Sequence, residues 1–144
     1  MISKAKTENP DIDFMLCDAN NITDNYDLIF SNACLQWIPN HNILIPSLME
    51  KLNKDGVLAV QIPMNSEEPL FQLISEVANE CRWGLEEVLK QLNSTLTPLE
   101  YYNILNHCSS SFDIWEVKYY HTLFDHRVLV DWVKGSRIDH TLIF

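Results

Sequence analysis

The sequence YDLIFSNACLQWIPN, residues 26–40, decides the fold of this chain. Its apolar run, residues 28–30, is too short for a helix and ends at Ser31 and Asn32. A short apolar run between turn residues is typical of a strand that is buried on both faces. Ligands of open α/β sheets bind just beyond the carboxyl ends of such strands. Residues 31–37 occupy that place, so the sequence predicts a ligand site there.

A helix and a second strand follow the first strand. Apolar residues at spacings of three and four predict an amphipathic helix over residues 42–53, with Pro46 in or near its first turn. Residues 54–56, Lys-Asp-Gly, form a stop signal in which Gly56 is free to adopt a positive φ. Residues 57–62 are again apolar. This order predicts a parallel, right-handed βαβ unit.

Weaker patterns predict further elements on both sides of this unit. Residues 2–8 are typical of a helix end, and residues 13–17 of a strand. Beyond Pro63 we predict one strand, over residues 112–123, and four helices. The first helix begins at Glu67, the second covers residues 85–92, and the fourth covers residues 126–133. The third begins at a capping box formed by Thr97 and Glu100 and ends at about Cys108. Residues 1–64 thus form a partial α/β core, and residues 65–144 a helical region of the same domain that contains one more strand.

The composition argues against several classes of partner. The 144 residues carry a net charge of −10, whereas nucleic acid and anionic membranes bind clustered cations. No apolar stretch reaches the ~18 residues of a membrane span, and the first residues lack the apolar segment of a signal peptide. The four cysteines are widely spaced without a paired-ligand pattern. We therefore expect reduced thiols in a cytoplasmic protein and no metal site.

Two motifs carry a resemblance to a known family. Residues 27–38, DLIFSNACLQWI, and residues 56–63, GVLAVQIP, resemble the S-adenosylmethionine-dependent class I methyltransferases, above all their trans-aconitate methyltransferase branch. The resemblance covers nearly all of the chain and implies a Rossmann-like domain, of whose seven strands this chain matches the third, fourth, fifth and sixth. Strands one, two and seven have no match. Because unpaired strand edges are costly, we expect rearrangement or a homo-oligomer formed through the open edges.

The resemblance also implies a cofactor, S-adenosyl-L-methionine, and residues that contact it. They are Asp18 and Ala19 near the adenine, Asn32 and Ala33 beneath the methionine portion, and Gln36 and Trp37 beside it. The family's glycine-rich cofactor loop has no match, since no glycine precedes Gly56. Each of three residues also has a structural interpretation that needs no ligand. Asp18 is then a capping residue, Trp37 a packing residue, and Asn32 a residue whose side chain hydrogen-bonds to backbone groups.

The implied substrate is a small carboxylic acid such as trans-aconitate. The resemblance points to Tyr119, Tyr120, His121 and Trp132 as its contacts, since a carboxylate needs hydroxyl, imidazole or guanidinium donors. Side chains alternate along a strand, so at most two of residues 119–121 share one pocket. His121 is alternatively a core or surface residue. We interpret the three arginines, Arg82, Arg127 and Arg137, as surface charges.

The implied reaction is O-methylation, in which a substrate carboxylate oxygen attacks the methyl group of the cofactor. An ionised carboxylate is already a nucleophile, so alignment and exclusion of water suffice and we assign no catalytic residue. The rival hypothesis is a non-catalytic remnant or split-gene half that acts only with a partner chain. Another Rossmann-like nucleotide enzyme is disfavoured, because no phosphate-binding loop is visible. We expect the isolated chain to bind the cofactor weakly or not at all.

Overall fold

The computed structural model describes residues 2–84 and 95–133. Within these ranges it contains two strands and five α-helices, joined by short 3₁₀ turns at Ala19–Asn21 and Leu35–Trp37. The strands are β1 (Tyr26–Asn32) and β2 (Leu52–Gln61), and the helices are α1 (Ile2–Glu8), α2 (His41–Met49), α3 (Pro69–Ala78), α4 (Pro98–Cys108) and α5 (His126–Val133). The helix predicted over residues 85–92 lies outside the described residues.

The parallel pairing of the predicted βαβ unit, with a helix between its strands, is confirmed. Strands β1 and β2 are parallel, with Ile29 opposite Leu58 and Ser31 opposite Val60, and α2 connects them. Helix α2 ends earlier than predicted because the chain has entered β2 by Leu52, which pairs with Tyr26. Pro46 consequently lies in the second helical turn of α2 rather than in its first.

Gly56 acts differently from the prediction. Residues 54–56 lie within β2 and do not stop the helix, and the positive φ belongs to Asp55 (64°). A Cβ at position 56 would lie 2.9 Å from the carbonyl oxygen of Asn53 and 3.1 Å from that of Tyr26. Such distances are shorter than van der Waals contact. Gly56 is therefore required by the close approach of two backbones where the strand register is irregular.

Two strand predictions were wrong. Residues 13–17 and 112–123 are irregular in the structure, so the sheet in the described residues has two strands rather than four. A strand exists only when a neighbour accepts and donates its backbone hydrogen bonds. In the described ranges, β1 and β2 pair only with each other. An apolar or alternating pattern without a partner strand leaves the backbone in an irregular path.

One small core holds the βαβ unit and α4 together. Its buried members are Leu35, Leu44, Ile45, Leu48 and Tyr101. The inner face of the sheet covers this core through half-buried side chains that include Ile29, Leu58 and Val60. Helix α4 thus packs against α2 although about fifty residues of sequence separate them.

The opposite face of the sheet is apolar and exposed. Leu28, Phe30 and Val57 lie on that face and are 58%, 69% and 55% exposed. Parallel sheets in α/β proteins are normally covered on both faces. This outer sheet face, defined by these three residues, is therefore a large apolar surface of a kind that proteins seldom leave open.

The later helices begin at well-formed caps. The capping box predicted at Thr97 is confirmed: its hydroxyl accepts from the backbone N–H of Glu100 (3.3 Å), and its own N–H donates to the Glu100 carboxylate (2.8 Å). At α5, one carboxylate oxygen of Asp125 accepts from the N–H groups of Arg127 (2.8 Å) and Val128 (3.0 Å). None of the helices in the described ranges is long and apolar enough to cross a membrane.

Candidate functional site

The loop that follows β1 is folded back onto the end of the sheet. Asn32 pairs with Gln61 at the last position of β1, and the N–H of Ala33 donates to the Gln61 carbonyl (3.0 Å). Ala33 has a φ of 49°, which turns the chain sharply away from the strand. The side-chain Nε2 of Gln36 then donates to the Ala33 carbonyl (2.8 Å). The structure thus brings three of the predicted cofactor residues, Ala33, Gln36 and Asn32, into one compact loop.

Two polar atoms in this region are buried without a partner among the described residues. They are the side-chain oxygens of Ser31 and Gln36, Oγ and Oε1. A buried acceptor without a hydrogen bond costs about 1–3 kcal/mol, so native proteins rarely retain one without a reason. Both atoms lie at the carboxyl end of β1, the end beside which ligands of open α/β sheets bind, but both are buried beneath the surface of the loop.

Asp18 lies at the start of the other turn that the resemblance selects. Its Oδ1 accepts from the backbone N–H and the side-chain amide of Asn20, each at 2.8 Å. These two hydrogen bonds hold the pKa of the Asp18 carboxyl below its ordinary value, so the group is ionised near neutral pH. Asp18 is thus a capping residue, as the alternative interpretation held. Within the described residues both bonds go to Oδ1, so Oδ2 can still accept from a ligand.

The core links the Asp18 turn to the loop after β1. Ala19 and Ile22 pack against the cluster that contains Leu35, the first residue of the second 3₁₀ turn. Trp37 closes that turn and is 42% exposed. The six residues predicted to contact the cofactor therefore lie at the first turn, at the end of β1 and on the loop that follows it, and residues of both turns pack on one core.

His41 is a central residue that the sequence analysis missed. It is fully buried, its Nε2 lies 2.9 Å from the carbonyl oxygen of Leu35, and its Nδ1 is hydrogen-bonded to the hydroxyl of Tyr101. The carbonyl can only accept, so Nε2 carries the proton and Nδ1 accepts from the tyrosine hydroxyl. The Tyr101 oxygen in turn accepts from the backbone N–H of Leu96 (3.2 Å). Burial is the leading cause of a raised pKa at Tyr101, which keeps its hydroxyl protonated.

A local signal for His41 did exist. A histidine at the first position of an apolar helix, directly after a turn, is a polar group that folding must either expose or satisfy. Asn40, just before it, has a φ of 61° and directs the chain into α2. The partner Tyr101 is 60 residues away, so no short pattern could have identified the pair.

The predicted substrate residues are only partly brought together. The rings of His121 and Trp132 are in contact, with centroids 5.8 Å apart. Tyr119 and Tyr120 lie in the irregular segment and are 77% and 91% exposed, so neither lines an enclosed pocket. The prediction that at most two of residues 119–121 face one pocket rested on a strand that the structure does not contain.

An open depression lies on α5, on a face of the helix that does not include Trp132. It has a volume of about 360 Å³ and is lined by His126, Arg127, Val130 and Asp131. Arg127, which we interpreted as a surface charge, therefore lines a concave site next to a histidine. A guanidinium and an imidazole together can bind a carboxylate.

Comparison with known proteins supports the resemblance. No family model matches the chain. Trans-aconitate 2-methyltransferases of Escherichia coli O157:H7 and Shigella flexneri are each 40% identical to it, over 138 and 140 residues, and that of Methylobacterium radiotolerans is 37% identical over 142 residues. Each alignment covers 94% of this chain but only 53–55% of the relative, so the chain spans about half the length of these curated relatives. The chain is thus similar, over nearly all of its length, to about half of a trans-aconitate 2-methyltransferase.

Proposed function

We propose that this chain takes part in S-adenosylmethionine-dependent O-methylation of a small carboxylic acid such as trans-aconitate. The observation that carries the proposal is the 94% coverage of the chain by methyltransferases of that name. The folded site supports it, because the two turns with the predicted cofactor residues share one core and leave Oδ2 of the exposed Asp18 carboxylate as an acceptor for a ligand.

Each part of the site has a chemical role in this proposal. The ionised Asp18 carboxylate accepts from the amino group of the adenine. Asn32 and Ala33 form the floor below the methionine portion, and Gln36 and Trp37 form the wall beside it, where the half-exposed Trp37 offers an aromatic face. Bound S-adenosylmethionine supplies a methyl group on a positively charged sulfur. Arg127, in the depression on α5, is the strongest candidate to orient a substrate carboxylate.

We propose further that the chain alone binds the adenosine end of the cofactor and not its methionine end. A glycine-rich turn permits close backbone approach to a ligand, and this chain has no glycine before Gly56. Catalysis by positioning needs both ends of the methyl donor held, since a displacement depends on alignment. Methyl transfer by the chain alone is therefore expected to be weak or absent.

Saturation-transfer NMR with S-adenosylhomocysteine tests this proposal. We expect saturation of the adenine ring protons and little at the methionine protons, with an affinity in the millimolar range. Asp18→Asn should weaken the adenine signal, because an amide in place of the carboxylate loses the charge and half of the acceptor capacity. Asp24→Asn, an exposed acid in the same segment, is the matched control. Equal saturation of both ends, micromolar affinity, or no contact at all would contradict the proposal.

A second candidate function is that of a half-domain that acts only with a partner chain. The outer sheet face favours it, because Leu28, Phe30 and Val57 are more than half exposed on a parallel sheet. We propose that the partner is a polypeptide equivalent to the half of the relatives that this chain does not match. Such a partner would cover the apolar face with helices and supply the glycine-rich turn.

Co-expression tests the second candidate. The chain is produced with the unmatched half of the Escherichia coli relative, and the complex is assayed for methyl transfer to trans-aconitate. We expect a stable heterodimer whose formation is abolished by Phe30→Asp and retained in Leu99→Asp, which alters an apolar residue that is equally exposed, at 69%, but lies on α4. A complex that forms but transfers no methyl group would limit the function of the chain to binding its partner. The absence of a complex would exclude this candidate.

A further inference from the structure

The buried pair His41 and Tyr101 connects two helices that are far apart in the sequence. Tyr101 lies on α4, and His41 is the first residue of α2. Hydrogen bonds run from the Leu96 N–H to the Tyr101 oxygen, from the Tyr101 hydroxyl to His41 Nδ1, and from His41 Nε2 to the Leu35 carbonyl. Each imidazole nitrogen makes one hydrogen bond in this series, and the Tyr101 hydroxyl makes two, one as acceptor and one as donor.

The last bond of the series acts on the turn that ends in Trp37. The Leu35 carbonyl accepts from two donors, His41 Nε2 and the backbone N–H of Ile38, each at 2.9 Å. The bond to Ile38 is the one that closes the 3₁₀ turn Leu35–Trp37. A 3₁₀ turn has poor intrinsic hydrogen-bond geometry and depends on its surroundings. The imidazole therefore fixes the carbonyl around which this turn forms.

We propose that Tyr101 and His41 are positioning residues, through which α4 holds the turn Leu35–Trp37 and its aromatic wall in place. One part of the inference rests on the proposed function: Trp37 is a wall of the cofactor site only if the chain binds the cofactor there. The link itself is a property of the fold. It makes the position of α4 and the position of Trp37 depend on each other.

The link needs both hydrogen bonds of the imidazole. Without the tyrosine hydroxyl, Nδ1 becomes a buried acceptor with no donor, and the ring is free to rotate or to exchange its proton between the two nitrogens. Either change removes the donor at the Leu35 carbonyl. The effect of a hydroxyl on α4 is thus transmitted to a turn 60 or more residues earlier in the sequence.

Hydrogen exchange of the Ile38 amide in Tyr101→Phe tests the link without any ligand. We expect about tenfold faster exchange at Ile38, the loss typical of one buried hydrogen bond, and a shifted fluorine resonance of fluorotryptophan at position 37. Tyr102→Phe is the matched control, since its ring lies on the same helix but packs against Phe112 at 5.3 Å. Unchanged exchange in Tyr101→Phe, or equal changes in both variants, would overturn the assignment.

His41→Gln provides an independent variant that keeps one donor and one acceptor in the amide. We expect its Ile38 exchange to stay within about threefold of the original chain, whereas His41→Leu should match or exceed Tyr101→Phe. Faster exchange in His41→Gln than in Tyr101→Phe would contradict a role based on these hydrogen bonds.

Saturation transfer from the same samples to S-adenosylhomocysteine separates the two proposals. If the original chain gives no adenine signal while Tyr101→Phe still loosens the turn, the proposed function fails and the link stands. If the original chain binds and Tyr101→Phe changes neither the turn nor the adenine signal, the link fails and the proposed function stands. Loss of both turn protection and adenine signal in Tyr101→Phe supports both.

Discussion

The Tyr101 hydroxyl on α4 donates a hydrogen bond to Nδ1 of His41 on α2, and the two aromatic rings are 5.8 Å apart between centroids. His41 is fully buried and Tyr101 is 8% exposed, so water cannot replace either partner. Buried polar groups stabilise a fold only when all of their hydrogen bonds are made. The pair is therefore a polar connection inside a core whose other buried members are aliphatic.

Replacement of His41 by leucine should destabilise the chain. The apolar side chain leaves the Tyr101 hydroxyl without its acceptor and the Leu35 carbonyl with one donor fewer, and we expect a loss of about 1–3 kcal/mol in the free energy of unfolding. Urea denaturation measures it. His107→Leu is the control, because the His107 ring is exposed and hydrogen-bonded only to the Asn103 carbonyl of its own helix among the described residues. Similar losses in both variants would contradict a special role for the buried pair.

Gly56→Ala should cost more stability than Gly84→Ala. The new Cβ at position 56 would lie 2.9 Å from the Asn53 carbonyl oxygen of its own strand and 3.1 Å from the Tyr26 carbonyl oxygen of β1, so the backbone must shift and we expect a loss of about 3 kcal/mol. At Gly84 no atom lies within 4 Å, and only the φ of +61° disfavours alanine, which costs about 1 kcal/mol. Thermal and urea denaturation compare the two. An equal loss at both positions would contradict the importance of the close backbone approach at Gly56.

The capping box of α4 should make stability depend on acidic pH. Hydrogen bonds from the Thr97 side chain and backbone lower the pKa of the Glu100 carboxyl from its ordinary 4.5. A carboxyl whose pKa is lower in the folded state stabilises the fold fully above the unfolded pKa, and this contribution is lost as the pH falls through the folded pKa. We expect Glu100→Gln to remove this part of the acid dependence in denaturation measured between neutral pH and about pH 3. Glu76→Gln, on the exposed side of α3, should retain it.

Shortening a side chain should cost much more stability on the inner face of the sheet than on its outer face. Ile29→Ala removes a side chain that packs on the core, and we expect a loss of about 2 kcal/mol. Phe30→Ala, the next residue, removes a ring that is 69% exposed and should change the free energy of unfolding by less than about 1 kcal/mol. The same Phe30 variant should reduce self-association in analytical ultracentrifugation. A large stability loss at Phe30 would show that the outer sheet face is covered within the chain.

Patterns of local origin were predicted well from the sequence. The parallel βαβ unit follows from apolar runs of strand length around a helix, and the start of α4 follows from Thr97 and Glu100, which lie three residues apart and bond to each other. The predictions failed where the element needed a distant partner. Residues 13–17 and 112–123 have the side chains of strands, but a ladder forms only beside another strand, and in the described residues β1 and β2 pair only with each other.

The sequence by itself determined the βαβ unit and the capping box of α4, because each depends on residues close together in the chain, and it carries the similarity to trans-aconitate 2-methyltransferases. The tertiary structure alone decided that His41 meets Tyr101, that Gly56 permits a close approach of two backbones, and that one face of the sheet stays exposed. These features depend on which segments pack against each other. The packing of segments is determined by the apolar surface that the whole fold buries, so no short stretch of sequence can predict it.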